Sequence, residues 1–102
     1  MSELFRVASV SELPPGTGQE FMAGGRIVAL YHVDGSIFAL DGVCPHAGGP
    51  LGKGALKGNV VTCPWHGWQF DVSSGQHCLN LNLQHTKFSV KIEGDDVYVE
   101  IP

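Results

Sequence analysis

Hydrophobic and polar positions along the 102-residue chain alternate most clearly at its C-terminal end. Phe88, Val90 and Ile92 are separated by Lys87, Ser89 and Lys91. The chain then reverses through Glu93-Gly94-Asp95-Asp96 into Val97, Val99 and Ile101. A period of two places alternate side chains on opposite faces, so this stretch predicts two strands of a hairpin, each with one buried face. A second hairpin is predicted where apolar Ile27 to Tyr31 runs through Val33-Asp34-Gly35-Ser36 into Ile37 to Leu40. Asp-Gly between β-rich runs favours a tight turn with positive φ. Leu4 to Val7 predicts a first strand, and Ser11-Glu12-Leu13-Pro14-Pro15-Gly16 a turn, at most one helical turn before the prolines stop it.

The middle of the chain breaks this pattern. From Cys44 to Cys78 glycine is frequent, two Cys-Pro pairs occur and apolar runs are as short as Val60-Val61, a composition that a packed sheet would not choose. Glycine serves where backbone bends sharply or approaches something closely. The chain therefore divides into a β scaffold, about 1–42 and 79–102, and an inserted site-forming segment, about 43–78, within one domain spanning 1–102. No internal repeat or linker is visible.

Composition narrows the function classes. Six basic against ten acidic residues give a net charge of −4, with no basic run to bind phosphates, so nucleic acid is not an expected partner. The N-terminal stretch lacks a secretory pattern and no apolar run approaches the ~20 residues that span a bilayer. A cytoplasmic protein without membrane contact is expected. In that compartment three cysteines do not suggest a disulfide framework, and the thiols call for another explanation.

That explanation lies in two short motifs, Cys44-Pro45-His46 and Cys63-Pro64-Trp65-His66, separated by the 16 residues from 47 to 62. Each offers one thiolate and one imidazole, each has proline after the cysteine, and glycine soon follows each histidine. Together they point to a metal site. Two cysteines and two histidines also suit tetrahedral zinc, which spacing alone does not exclude, although Cys-x-His is an unusual zinc half-site.

The pattern Cys-x-His, a spacer of this length, then Cys-x-x-His resembles the Rieske family. The likeness extends to Gly48, Gly49-Pro50-Leu51, Gly54, Gly67, Phe70-Asp71 and Gly75, and covers almost the whole chain. It implies an all-β fold, a Rieske-type antiparallel β-sandwich scaffold with an inserted two-loop cluster-binding subdomain. It also implies a [2Fe–2S] cluster with Cys44 and Cys63 on the inner iron and His46 and His66 on the outer one. With neutral imidazoles the oxidised centre has zero net charge, against −2 for four thiolates, so an electron is added more easily and the potential rises. An imidazole bound through one ring nitrogen keeps the other free to titrate, which couples reduction to protonation as a hypothesis; a potential flat across alkaline pH counts against it.

The chain departs from the respiratory branch of this family, in which each loop carries a further cysteine and a disulfide ties the loops. Gly49 and Trp65 stand at the corresponding positions. That branch also places a serine and a tyrosine beyond the second histidine, donating hydrogen bonds that favour the reduced cluster; Trp68 and Phe70 stand here, without hydroxyls. The expected potential is therefore near the low end of the Rieske span, roughly −150 to +300 mV.

The resemblance implies a soluble one-electron carrier of the dioxygenase-component type, not itself an enzyme. It would pass electrons from a flavin-dependent ferredoxin reductase to a terminal oxygenase, and nothing demands more than a monomer. Pro45 to Gly49 and Pro64 to Trp68 are the docking candidates, and the acidic balance favours a partner with a basic patch. The alternatives are a Rieske-like small subunit of assimilatory nitrite reductase and, from another class, a zinc-stabilised binding module. Trp65 and Trp68 read first as loop packing, with a docking rim as the alternative. Cys78 reads as a buried structural thiol, His32 and His85 as surface or packing residues, and Asp34, Asp41, Asp95 and Asp96 as turn residues. Leu79 to Leu83 lacks the proline of the loop that covers the metal site in many Rieske domains.

Overall fold

The computed structural model describes residues 3–45, 48–65, 67–80 and 82–102, and all regular structure among them is antiparallel β apart from two single 3-10 turns, Val10–Glu12 and Leu51–Lys53. The order along the chain is β1 (Glu3–Ser9), β2 (Gly18–Ala23), β3 (Arg26–Val33), β4 (Ser36–Asp41), β5 (Ala55–Lys57), β6 (Val60–Thr62), β7 (Gln69–Asp71), β8 (Lys87–Phe88), β9 (Val90–Glu93) and β10 (Asp96–Ile101). They form three sheets, ordered β1-β10-β9, β2-β3-β4-β8 and β5-β6-β7.

The predicted hairpins form as the pattern requires. Val33 pairs with Ser36 across a two-residue turn in which Asp34 (φ 50°) and Gly35 (φ 81°) are both left-handed, the geometry that matches strand twist. At the C-terminus Asp96 pairs with Glu93, and Val97, Val99 and Ile101 are buried. The same alternation fails on β9: Ile92 is exposed although it pairs across the ladder with buried Val97, so the core does not extend over β9 there. Strand β2 was not visible in the sequence, since Gly-Gln-Glu-Phe-Met-Ala lacks strict alternation; it pairs with β3 from Gly18–Tyr31 to Ala23–Arg26.

Strand β3 is the centre of the molecule, and its unbroken run Val28 to Val33 is buried on both faces. Val28 and Leu30 face Val97, Val99, Phe88 and Leu13 in the sandwich core between the first two sheets. Ala29, Tyr31 and Val33 face the other way, into a second core with Leu51, Val61, Phe70, Val72 and both Cys44 and Cys63. One strand thus fastens the scaffold to the cysteine-bearing segment.

That segment contains a sheet after all, contrary to the reading of its composition. Strands β5, β6 and β7 are three residues each, and the glycines punctuate them instead of occupying them: Gly54 precedes β5, Gly58 (φ 58°) turns β5 into β6, and Gly67 lies between β6 and β7. Val61 and Phe70, paired across β6 and β7, supply its fully buried side chains.

Candidate metal centre

Both cysteines start loops that close in the same way. Cys44 follows β4, where the Asp41 carboxylate accepts the N–H of Val43 (2.9 Å) and Val43 bridges to Pro50. The N–H of Cys44 donates to the carbonyl of Gly49 (2.9 Å), five residues on. In the second loop the N–H of Cys63, just past β6, donates to the carbonyl of Trp68 (2.7 Å), again five residues on. The fourth residue after each cysteine is a left-handed glycine, Gly48 (φ 73°) and Gly67 (φ 74°). Cys-Pro-x-x-Gly-x is therefore one backbone design used twice, and the glycine is required because L side chains disfavour that φ.

The two loops meet. Cys44 and Cys63 are both buried and unpaired, and their thiols lie within reach of one another. Burial pushes the Cys63 thiol up, the N–H of Trp65 opposes the rise by donating to its sulfur, and Cys44 adds to it. A Cβ on Gly49 would lie 2.9 Å from Cys63 Sγ and 2.9 Å from Cγ of Trp65. Gly49 and Trp65, the two positions where the respiratory branch was expected to carry its bridging cysteines, thus pack against each other without a covalent link. Tyr31 closes the site from below. It is fully buried, its hydroxyl donates to the carbonyl of Leu51 (3.0 Å), and burial, then Cys63 and Cys44, push its pKa well above the ordinary tyrosine value.

His46 and His66, the other two expected ligands, lie outside the described residues, as do Ala47 in the first loop and Leu81. What is described fits an iron–sulfur centre in its donor chemistry: two adjacent thiols, shielded from solvent, each at the mouth of a loop whose sequence supplies an imidazole. Among the described residues alone no group of three metal-ligating side chains forms.

The surroundings revise several expectations. Trp68 is half-buried, 4.8 Å from the His77 ring and 6.4 Å from that of Phe70, whereas Trp65 is 50% exposed, so the two tryptophans divide between packing and rim. Cys78 is exposed, not a buried structural thiol. The reason is alternation: Cys78 N–H donates to the carbonyl of Gln69 along the edge of β7, His77 bridges to Phe70 and turns inward, and its neighbour turns out. His32 and His85 are both buried packing residues, bonded to the carbonyls of Leu13 (2.7 Å) and Asp41 (2.7 Å). His77 was missed as a structural residue, and its place next to Phe70 in the fold, not any sequence motif, reveals it. Leu79, Asn80, Asn82 and Leu83 lie in no strand, and the Leu83 N–H donates to the Asn80 carbonyl (3.0 Å).

An all-β domain that brings two buried, unpaired cysteines together beneath matched loops is a metal-binding β domain of the thiolate class. The chain belongs to the Rieske [2Fe-2S] domain family, which matches residues 3–97. Domains of this family carry a Rieske-type [2Fe–2S] cluster. Human apoptosis-inducing factor 3 is 42% identical over 95 residues, 91% of this chain but only 16% of that protein, so the chain spans about a sixth of its length. The ferredoxin component of the naphthalene 1,2-dioxygenase system of Pseudomonas aeruginosa is 34% identical over 91 residues, covering 88% of each chain. The structure of a complex of reduced oxygenase and oxidised ferredoxin in carbazole 1,9a-dioxygenase contains a chain that superposes with a TM-score of 0.84 at 30% identity, over 94% of this chain and 91% of that one. A candidate NADH-dependent nitrite reductase small subunit of Mycobacterium tuberculosis superposes at 0.88 over 100% of this chain and 97% of that one, but at 19% identity, a likeness of fold alone.

Proposed function

We propose that this chain is a cytoplasmic, monomeric one-electron carrier, accepting an electron from a flavin-dependent reductase and delivering it to a terminal oxygenase. The proposed ligands are Cys44 and Cys63 on one iron and His46 and His66 on the other, within one domain spanning residues 1–102. When bound, the [2Fe–2S] cluster supplies reversible one-electron chemistry. The observation that carries the reading is the pair of buried, unpaired thiols at the starts of two loops of identical closure. The two thiols are buried, and among the described loop residues Pro45, Gly48, Pro64, Trp65 and Gly67 are exposed. Electrons would enter and leave there, through small transient contacts of under about 1,200 Å².

Ferredoxin components of dioxygenase systems match this chain over 88% and 92% of their own length, which supports the carrier reading. The nitrite reductase alternative has only the shared fold behind it. Anaerobic reconstitution with iron and sulfide tests the proposal. Two irons and two sulfides per chain, a visible spectrum that bleaches on reduction, and NADH-driven turnover with the reductase and oxygenase of the naphthalene 1,2-dioxygenase system are expected. A protein that binds one zinc in preference and shows no reducible chromophore overturns it.

A further inference from the structure

Asp41, the last residue of β4, reads from the sequence as a turn residue, and one of its oxygens does serve a turn: Oδ1 accepts the N–H of Val43 (2.9 Å). The structure commits its other three polar atoms to other segments. Oδ2 accepts Nη2 of Arg26, at the start of β3 (3.2 Å). The backbone N–H donates to the carbonyl of Thr86 (2.9 Å), and the backbone carbonyl accepts from Nε2 of buried His85 (2.7 Å). A local turn of this kind needs a single oxygen, which asparagine also offers; the second oxygen and the negative charge answer to Arg26.

Arg26 and His85 are themselves fixed. The Arg26 guanidinium lies over the buried ring of Phe88, 5.1 Å from its centroid. The His85 ring packs 5.4 Å from that of Phe70 in β7, and its backbone N–H donates to the carbonyl of Gly75 (2.7 Å). Strand β7 follows the Cys63 loop, and a Cβ on Gly75 would lie 2.5 Å from the His85 carbonyl oxygen, so this joint has no slack. The far end of the first loop returns to the same place, where the Leu51 N–H donates to the carbonyl of Gly42 (2.9 Å). Asp41 stands three residues before Cys44. It therefore connects the root of the first loop to β3, to the segment before β8 and, through His85, to the strand that leaves the second loop.

We propose that Asp41 is a positioning residue of the metal centre: pinned by Arg26 and His85, it holds the root of the Cys44 loop in register with the segment that carries Cys63. This rests on the cluster reading of the site and extends it to residues outside both cysteine motifs. Two loops from separate segments share one metal centre only while their separation is fixed, so loosening one root speeds loss of the metal before it unfolds the domain.

The test is iron release from the reconstituted protein to a chelator, at a temperature where far-UV circular dichroism shows the variants folded, with the EPR signal of the reduced protein as second readout. Asp41→Ala is expected to release iron roughly tenfold faster and to change the EPR line shape, and Asp41→Asn, which keeps an acceptor for Val43, to release it on the order of threefold faster. Val97→Ala, which loosens only the sandwich core, lowers the urea midpoint and leaves both readouts unchanged. Release from Asp41→Ala within about twofold of the unmodified rate, or an equal acceleration in Val97→Ala, makes Asp41 a purely structural residue and overturns the proposal. Where Asp41→Ala does not fold, Arg26→Gln decides, since it leaves the other bonds of Asp41 in place: faster release supports the proposal and an unchanged rate overturns it. Unmodified protein that takes up no cluster overturns the cluster reading, and the proposal with it, before any variant is compared.

Discussion

Replacing Gly49 by alanine probes the interlock of the two loops with a single methyl group. The added Cβ would stand 2.9 Å from Cys63 Sγ, 2.9 Å from Trp65 Cγ and 3.1 Å from Trp65 Cβ. Trp65 Cβ is fixed to its backbone, and Cys63 Sγ and Trp65 Cγ move only with χ1, so no rotation farther out relieves the contact. Cys63 is buried against Leu51, Val61 and Phe70. The loops must therefore move apart by several tenths of an ångström, and overpacking of this kind costs about 1–3 kcal/mol.

Gly48→Ala is the control, since its Cβ meets nothing within 4 Å and its cost comes only from φ 73°, about 1–2 kcal/mol of backbone strain. The two variants are thus similar in stability but different in what they displace. Urea unfolding of the apo proteins, with a slope on the order of 1.5 kcal/mol/M, should lower the midpoint by roughly 0.7–2 M in Gly49→Ala and roughly 0.7–1.3 M in Gly48→Ala. Iron content after reconstitution separates them: Gly49→Ala, which pushes on Cys63 itself, loads poorly, and Gly48→Ala less so. Adding Trp65→Ala to Gly49→Ala should restore part of the loss, as coupled neighbours do. Full stability and full iron loading in Gly49→Ala refute the interlock.

Serine in place of Cys44 or Cys63, or alanine in place of His46 or His66, is expected to abolish the visible chromophore and the bound iron; near-complete iron retention in any one of the four removes that residue from the ligand set. The reduction potential of the reconstituted protein is expected below zero, in the lower part of the roughly −150 to +300 mV range, because Phe70 carries no hydroxyl and that of Tyr31 is committed to Leu51; potentiometric titration checks this, and a value well above zero refutes it. Tyr31 ionises more easily unfolded than folded, so its contribution to stability is complete below about pH 10 and declines as pH rises beyond it. Phenolate absorbance should reach its two-tyrosine amplitude only as the fold gives way, and Tyr31→Phe, at a cost of about 1 kcal/mol for the lost hydrogen bond, should remove that delay.

The scaffold was readable where one residue's environment depends on its near neighbours. Val97, Val99 and Ile101 alternate because one face of β10 meets the core, and Asp34-Gly35 turns because of its own backbone preferences. What depends on a distant partner was not readable. Ile92 obeys the same alternation as Val97 yet is exposed, since nothing in its own stretch of sequence says how far the core reaches. Strands of three residues, such as β5 to β7, are too short to show a period, and their glycines masked them. Cys78 was misread for the same reason: the thiol looked buried by residue type, whereas the Phe70–His77 bridge decides which of two neighbours turns inward.

The site followed the opposite rule. Its cysteine and histidine pattern is written in two short stretches of sequence, but the reason the two cysteines meet is not. Cys44 and Cys63 come together because β3 is buried twice, with Val28 and Leu30 anchoring it in the sandwich and Ala29, Tyr31 and Val33 forming the floor on which both cysteines rest. Each loop then needs only five residues and one left-handed glycine to return to its starting point. In the sequence the first loop carries its histidine two residues after the cysteine and the second three, so Trp65 stands in the second loop at the sequence position that His46 holds in the first. Trp65 is half exposed and packs against Gly49, so the residue at that position ties the second loop to the first.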